Sequence, residues 1–184
     1  MPFTPYHFGP SAFLGLLFRK WVDLPVFVLA NVAVDVEVLV IVIFGLGQPV
    51  HRYGHTLLGG AVVGIVWGLA AYPLRGTFRR AMESARLKYE TSLLKMIVSG
   101  VLGVWLHVLI DGIYHFDVRP FWPNEKISLW QIIMSRIGYH HTDALKSWVE
   151  WGCAGFLIAA VVLYALIVHS ELKSRHAGTR DSLS

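Results

Sequence analysis

Four apolar stretches, each about as long as the roughly 20 residues a helix needs to cross a bilayer, constrain this chain more than any other feature. They are Leu24–Gly47, Thr56–Leu74, Leu93–Tyr114 and Trp148–Val168. The composition agrees: 55% of the 184 residues are hydrophobic, only 15% are charged, and the mean hydropathy is +0.54. A soluble domain carries about 25% charged residues, so an ordinary water-soluble enzyme and a disordered tail are both excluded. The single cysteine, Cys153, excludes an intramolecular disulfide and a cysteine-cluster zinc site. The expected fold is an all-α, integral membrane helical bundle with about four transmembrane helices. Residues 1–169 form one membrane-embedded domain and 170–184 a polar, mobile cytoplasmic tail.

Shorter segments complete this plan. Ser11–Phe18 follows Pro10 and ends at Arg19-Lys20, which reads as an N-terminal half-span. It lacks the positive flank and small-residue cleavage site of a secretory signal. Arg79–Glu90 is polar at helical spacing and predicts a short cytoplasmic helical extension. Ile127–Ile137 is amphipathic and predicts an outer interfacial helix. Gly60, Gly64 and Gly68 recur every fourth residue, the spacing of a close helix–helix contact.

Charge sets the expected orientation. Eleven of the sixteen Lys and Arg residues lie at Arg19-Lys20, between Arg75 and Lys95, and in the tail. The positive-inside rule places those segments in the cytoplasm and residues 48–55 and 115–147 outside. The basic run 75–88 then serves topology and lipid headgroups. It is not interleaved with base-stacking aromatics, and no nucleic-acid partner is expected.

Against this background some residues are out of place. An ionisable side chain inside a span costs about 3 kcal/mol, so it needs a partner or a task. Asp35 and Glu37 sit midway along the first span, and His107 and Asp111 in the outward half of the third. His55 opens the second span, His51 precedes it by four residues, and His7 begins the half-span. His107 and Asp111, spaced i, i+4, share a helix face, which His115 would continue. His51 and His55 share a face if that segment is helical too. The direction of each helix brings all of these toward the outward half of the bundle.

Imidazoles and carboxylates in such a group are the donors of zinc, manganese or iron sites. A metal with an open position lowers the pKa of bound water, and a carboxylate can act as general base. The candidate ligands are His7, Asp35, His51, His55, His107 and Asp111, for one or more divalent ions with zinc first. The candidate catalytic carboxylates are Glu37 and Asp111. Arg52 and Arg119, on the same side, are candidate phosphate contacts. His115, Asp117, His140 and His141 read as solvated loop residues, with their membership of the site left open. His169 and His176 read as surface residues.

Several of these residues stand in motifs. The runs Pro5-Tyr6-His7-Phe8-Gly9-Pro10, Asp35-Val36-Glu37, His51-Arg52-Tyr53-Gly54-His55-Thr56, His107-Val108-Leu109-Ile110-Asp111 and Trp122-Pro123 occur in that order. Together, over about residues 1–125, they resemble the YdjM-type membrane-bound metal-dependent hydrolases. That family is similar in helical fold to zinc-dependent phospholipase C and P1 nuclease. His107 and Asp111 match its His-x-x-x-Asp element outright. Its Asp-x-Asp element reads Asp35-Val36-Glu37 here, without the preceding proline. Its paired histidines are four apart here rather than five. The resemblance implies hydrolase activity. The expected reaction is cleavage of an amphiphilic ester, a lipid or lipid-linked phosphoester first, by metal-activated water at the outer face of the cell's inner membrane. The alternatives are a transporter with an ion path through Asp35, His107 and Asp111, and a structural metal-binding membrane protein.

Overall fold

The structure is a computed structural model and describes residues 5–124 and 128–181. It is an all-α bundle of seven α-helices among those residues: α1 (Pro5–Leu17), α2 (Leu24–Ile43), α3 (Leu57–Ala71), α4 (Arg75–Ser84), α5 (Leu93–Tyr114), α6 (Leu129–Ile137) and α7 (Thr142–Asp181). Four helical stretches are long and apolar enough to cross a membrane: Leu24–Ile43, Leu57–Ser84, Leu93–Tyr114 and Tyr139–Lys173. The second joins α3 to α4 through a tight turn at Tyr72–Leu74.

Three of the four spans begin where a short polar side chain caps them. The Asp23 carboxylate accepts from Val26 N at 3.1 Å, and Pro25 stands in the first turn of α2. Thr56 Oγ1 accepts from Gly59 N at 2.9 Å to start α3, and Ser92 Oγ from Lys95 N at 3.2 Å to start α5. Helix α2 stops at a left-handed glycine, Gly45 (φ +61°), with Leu46 N reaching back to Ile41 O.

The expected extension Arg79–Glu90 is corrected. Helix α4 ends at Ser84, and the chain turns at Arg86, which takes φ 58°. Arg86 N donates to Glu83 O and Leu87 N to Met82 O, both at 2.9 Å, which satisfies the last carbonyls of α4. Leu87 is thereby buried against Met82, Leu16, Ala160 and Ile167. The burial of Leu87 offsets the non-glycine left-handed backbone. The interfacial helix covers Leu129–Ile137; Ile127 lies outside the described residues. Helix α7 continues past Val168 through the polar segment to Asp181, and residues 182–184 lie outside the described set.

Helices α3 and α5 form the tightest pair. A Cβ on Gly64 would meet Val101 Cα at 2.5 Å, and one on Gly68 would meet Ile97 Cα at 2.5 Å. Only glycine permits this backbone contact, as the four-residue spacing predicts. Helix α1 lies against α7 and α2. Buried Asn31 of α2 donates to Ser11 Oγ of α1 at 2.7 Å, and Ser11 Oγ donates to His7 O at 2.7 Å. That link sets the height of His7 relative to α2. Outward faces of α2 (Leu39, Val42, Ile43) and α7 (Ile158, Val161, Leu166) remain exposed and apolar, the surface that lipid tails cover. Trp21 at one end, and Trp148 and Trp151 at the other, project from the bundle as interfacial anchors do.

Candidate metal centre

Asp111 is the hub of the site. It is 3% exposed, near the end of α5, and five imidazoles surround its carboxylate. Oδ2 lies 3.0 Å from His107 Nε2, 3.7 Å from His51 Nε2 and 3.8 Å from His55 Nε2. Oδ1 lies 3.0 Å from His7 Nε2 and 4.0 Å from His115 Nε2. The His107 contact is the i, i+4 pair of one helix face. The others arrive from α1, from the loop after α2, and from the turn after α5.

A second carboxylate closes the group. Asp35 Oδ1 of α2 lies 3.2 Å from His107 Nε2 and 3.6 Å from His55 Nε2. One donor atom each from Asp35, His55, His107 and Asp111 thus falls within 4.8 Å of every other. Ligand atoms about 2.0–2.1 Å from a tetrahedral zinc are roughly 3.3–3.5 Å apart. The carboxylate–imidazole separations among them, 3.0 to 3.8 Å, bracket that value.

Protonation separates metal binding from plain hydrogen bonding. His55 Nδ1 lies 2.9 Å from Glu37 Oε2. Glu37 also accepts Gly54 N at 2.9 Å and Arg52 N at 3.1 Å, so it acts as a carboxylate acceptor and Nδ1 carries the proton. In its neutral form the imidazole presents an Nε2 lone pair to two carboxylate oxygens. Buried and without a hydrogen-bond partner, it faces acceptors, an arrangement a cation relieves. A ligating histidine held through its other nitrogen by a carboxylate is the usual outer support of a metal site. His51 repeats the pattern: Nδ1 lies 3.0 Å from the Asp117 carboxylate while Nε2 faces Asp111.

The groups outside the spans respond to these contacts. Burial pushes the His55 pKa down, but Asp35 and Glu37 beside it more than offset this, and the net shift is upward. Burial lowers the His115 pKa to about 4, against the pull of Asp111, so this imidazole is neutral at physiological pH. Burial raises the Asp117 pKa, and the hydrogen bond from His51 reverses this to a net decrease.

All the expected ligands, His7, Asp35, His51, His55, His107 and Asp111, meet here. The segment that brings in His51 and His55 is corrected: it is a loop and a short 3-10 turn (Tyr53–His55), and the two rings meet edge to face at 4.8 Å. Proximity comes from the fold of the loop rather than from an α-helical face. His7 stacks on His107 at 4.1 Å between ring centroids. Glu37 holds His55. Arg52 and Arg119 line a cavity of about 950 Å³ beside the centre, whose wall also includes His51, Tyr53, Asp117 and Trp122. Arg52 is steadied by the carbonyls of Leu46 and Pro49, and Arg119 by those of Phe116 and Val118. His115 and Asp117, read from sequence as solvated, are partly buried beside His51. For His115 the signal was the i, i+4 continuation from Asp111; Asp117 had none. The His140 and His141 rings lie tilted against each other in an exposed turn, and His169 is exposed; the side chain of His176 lies outside the described set.

Beneath the centre Ala30, Val34, Val104, Val108 and Val118 form an apolar layer. No family model matches the chain, and no curated protein or solved structure matches it either.

Proposed function

We propose that the chain is a membrane-embedded, metal-dependent hydrolase of an amphiphilic ester, and that the ester is a phosphoester carried on a lipid. The observation that carries this reading is His55. Its proton is committed to Glu37, and its free nitrogen faces Asp35 and Asp111 in a buried quartet of zinc-like spacing. Asp35, His55, His107 and Asp111 would hold the ion. A divalent ion there supplies Lewis acidity and lowers the pKa of water.

The chain's own groups divide the remaining work. Glu37, whose oxygens serve His55 and two backbone N–H groups, is a positioning residue in this reading. The sequence-based expectation of a general base passes to Asp111 or Asp35. Arg52 and Arg119 are fixed on the cavity wall with guanidinium N–H groups left over, suited to a phosphate. Tyr53 and Trp122, 5.3 Å apart edge to face, flank them. Water attack on phosphorus breaks the P–O ester bond, and the leaving oxygen takes a proton. The apolar layer under the centre weighs against an ion path through the bundle. The positive-inside pattern supports a site on the non-cytoplasmic face.

The test compares phospholipid vesicles with soluble phosphoesters, with and without chelator. The expected result is turnover in vesicles that is abolished by chelation and by Asp111→Ala, with soluble esters at least tenfold poorer. Turnover that survives Asp111→Ala, or that is equal on soluble esters, contradicts the reading.

A further inference from the structure

Outside the quartet, a second set of ligand-type side chains converges. His51 comes from the loop after α2, and His115 and Asp117 from the turn after α5. One donor atom of each lies within 4.8 Å of the other two. The His51 and His115 rings are 4.5 Å apart between centroids. His51 Nδ1 lies 3.0 Å from Asp117 Oδ2 and 3.1 Å from Oδ1. These residues are neither on a helix face nor in the apolar core. His51 and Asp117 form part of the wall of the 950 Å³ cavity, where Arg52 and Arg119 also stand.

We propose that His51, His115 and Asp117 form a second divalent-cation site, of zinc class, that opens into this cavity. Two imidazoles and one carboxylate are a three-ligand set that leaves one tetrahedral position free. Here the free position would face the cavity rather than protein. The 3.0 Å separation between His51 Nδ1 and Asp117 suits a shared proton or two ligands of one ion. An ion held through Nδ1 leaves the single ring proton of His51 on Nε2, 3.7 Å from Asp111 Oδ2. The two sites do not share a ligand: the inner quartet is complete without His51. An ion in the outer site stands beside the guanidinium groups, so it would bind the same class of ligand, an anionic phosphate or carboxylate entering the cavity.

The proposal goes beyond the hydrolase reading and can fail without it. The full chain, purified in detergent and stripped with chelator, is dialysed against zinc and its bound metal counted by elemental analysis. Wild type should hold two zinc ions per chain. Asp117→Ala and His115→Ala should each hold one, and the ion they keep shows that the inner centre is still folded. His107→Ala should lose the inner ion. One zinc in wild type, removed by His107→Ala, overturns the outer site and leaves the inner centre standing. Two zincs retained in both Asp117→Ala and His115→Ala also overturn it. No bound zinc in wild type refutes both sites. If one of the two variants fails to fold, the wild-type count and the other variant still decide.

Discussion

Asp23 and Asp111 are both buried aspartates, 1% and 3% exposed, at opposite ends of the same bundle. Asp23 is surrounded by donors. Val26 N caps onto Oδ1, and the hydroxyls of Tyr89 (2.7 Å) and Thr91 donate to Oδ2. Its backbone N–H donates to Ser99 Oγ at 2.6 Å. Burial, and then the Asp23 charge, raise the pKa of Tyr89 and keep its hydroxyl a donor. This carboxylate clasps the 85–92 loop to α2 and α5 and needs nothing more. Asp111 has no such set: five imidazoles surround it, and Oδ1 has no hydrogen-bond partner. Burial alone does not mark a functional carboxylate. What distinguishes the two is whether the neighbours are hydroxyl and backbone donors or imidazoles that can also ligate an ion.

The largest expected effect follows directly. Asp111→Ala should lose the inner zinc ion, while Asp23→Ala should leave zinc content at the wild-type level. The stability order is the reverse for the metal-free proteins. Asp23→Ala strands a helix N-terminus and two hydroxyls, at a cost of about 1–3 kcal/mol, read as a lower denaturation midpoint in detergent. If both variants lose metal, the contrast between the two ends collapses.

Glu37→Gln tests the next level. It keeps the shape but weakens the hold on the His55 proton, and loss of such outer support lowers metal affinity roughly 10–100-fold. Zinc competition with a calibrated chelator measures it, and unchanged affinity would remove Glu37 from the account.

The pH response sharpens the comparison in another way. In the metal-free protein the His55 pKa is raised above its ordinary value. A raised histidine pKa contributes stability that is fully present below the unfolded pKa and is lost as pH rises through the folded one. Zinc must displace that same proton, so its affinity should climb over the same pH range. Metal-free stability should fall while zinc affinity rises. Parallel trends in both would contradict the assignment of the proton to His55. The smallest effect is at the other end: Tyr89→Phe removes one donor to Asp23 and should cost about 1 kcal/mol, with no change in bound metal.

These two ends were unequally legible in the sequence. The spans could be read because their hydropathy runs are long and carry few charges; their caps, Asp23, Thr56 and Ser92, came only from the structure. The end of α2 carries its glycine at Gly45. The end of α4 uses Arg86 in the same left-handed role, and only the packing of Leu87 on Met82 reveals why. The inner ligands were visible because a charged residue within an apolar span is conspicuous, and because His107 and Asp111 keep helical spacing. The supporting contacts were not. Glu37 on His55, and Asp117 on His51, join residues 18 and 66 positions apart through irregular loops, where no periodicity relates them.

The central claim is that Asp35, His55, His107 and Asp111 share one divalent ion. Crystals of the zinc-loaded chain, measured on both sides of the zinc absorption edge, test it most directly. The account predicts an anomalous peak about 2.0–2.2 Å from one donor atom of each of the four residues, with Glu37 still on His55 Nδ1. A zinc-saturated crystal with no peak among these four atoms, and His55 Nε2 instead protonated and bonded to Asp35, would contradict it.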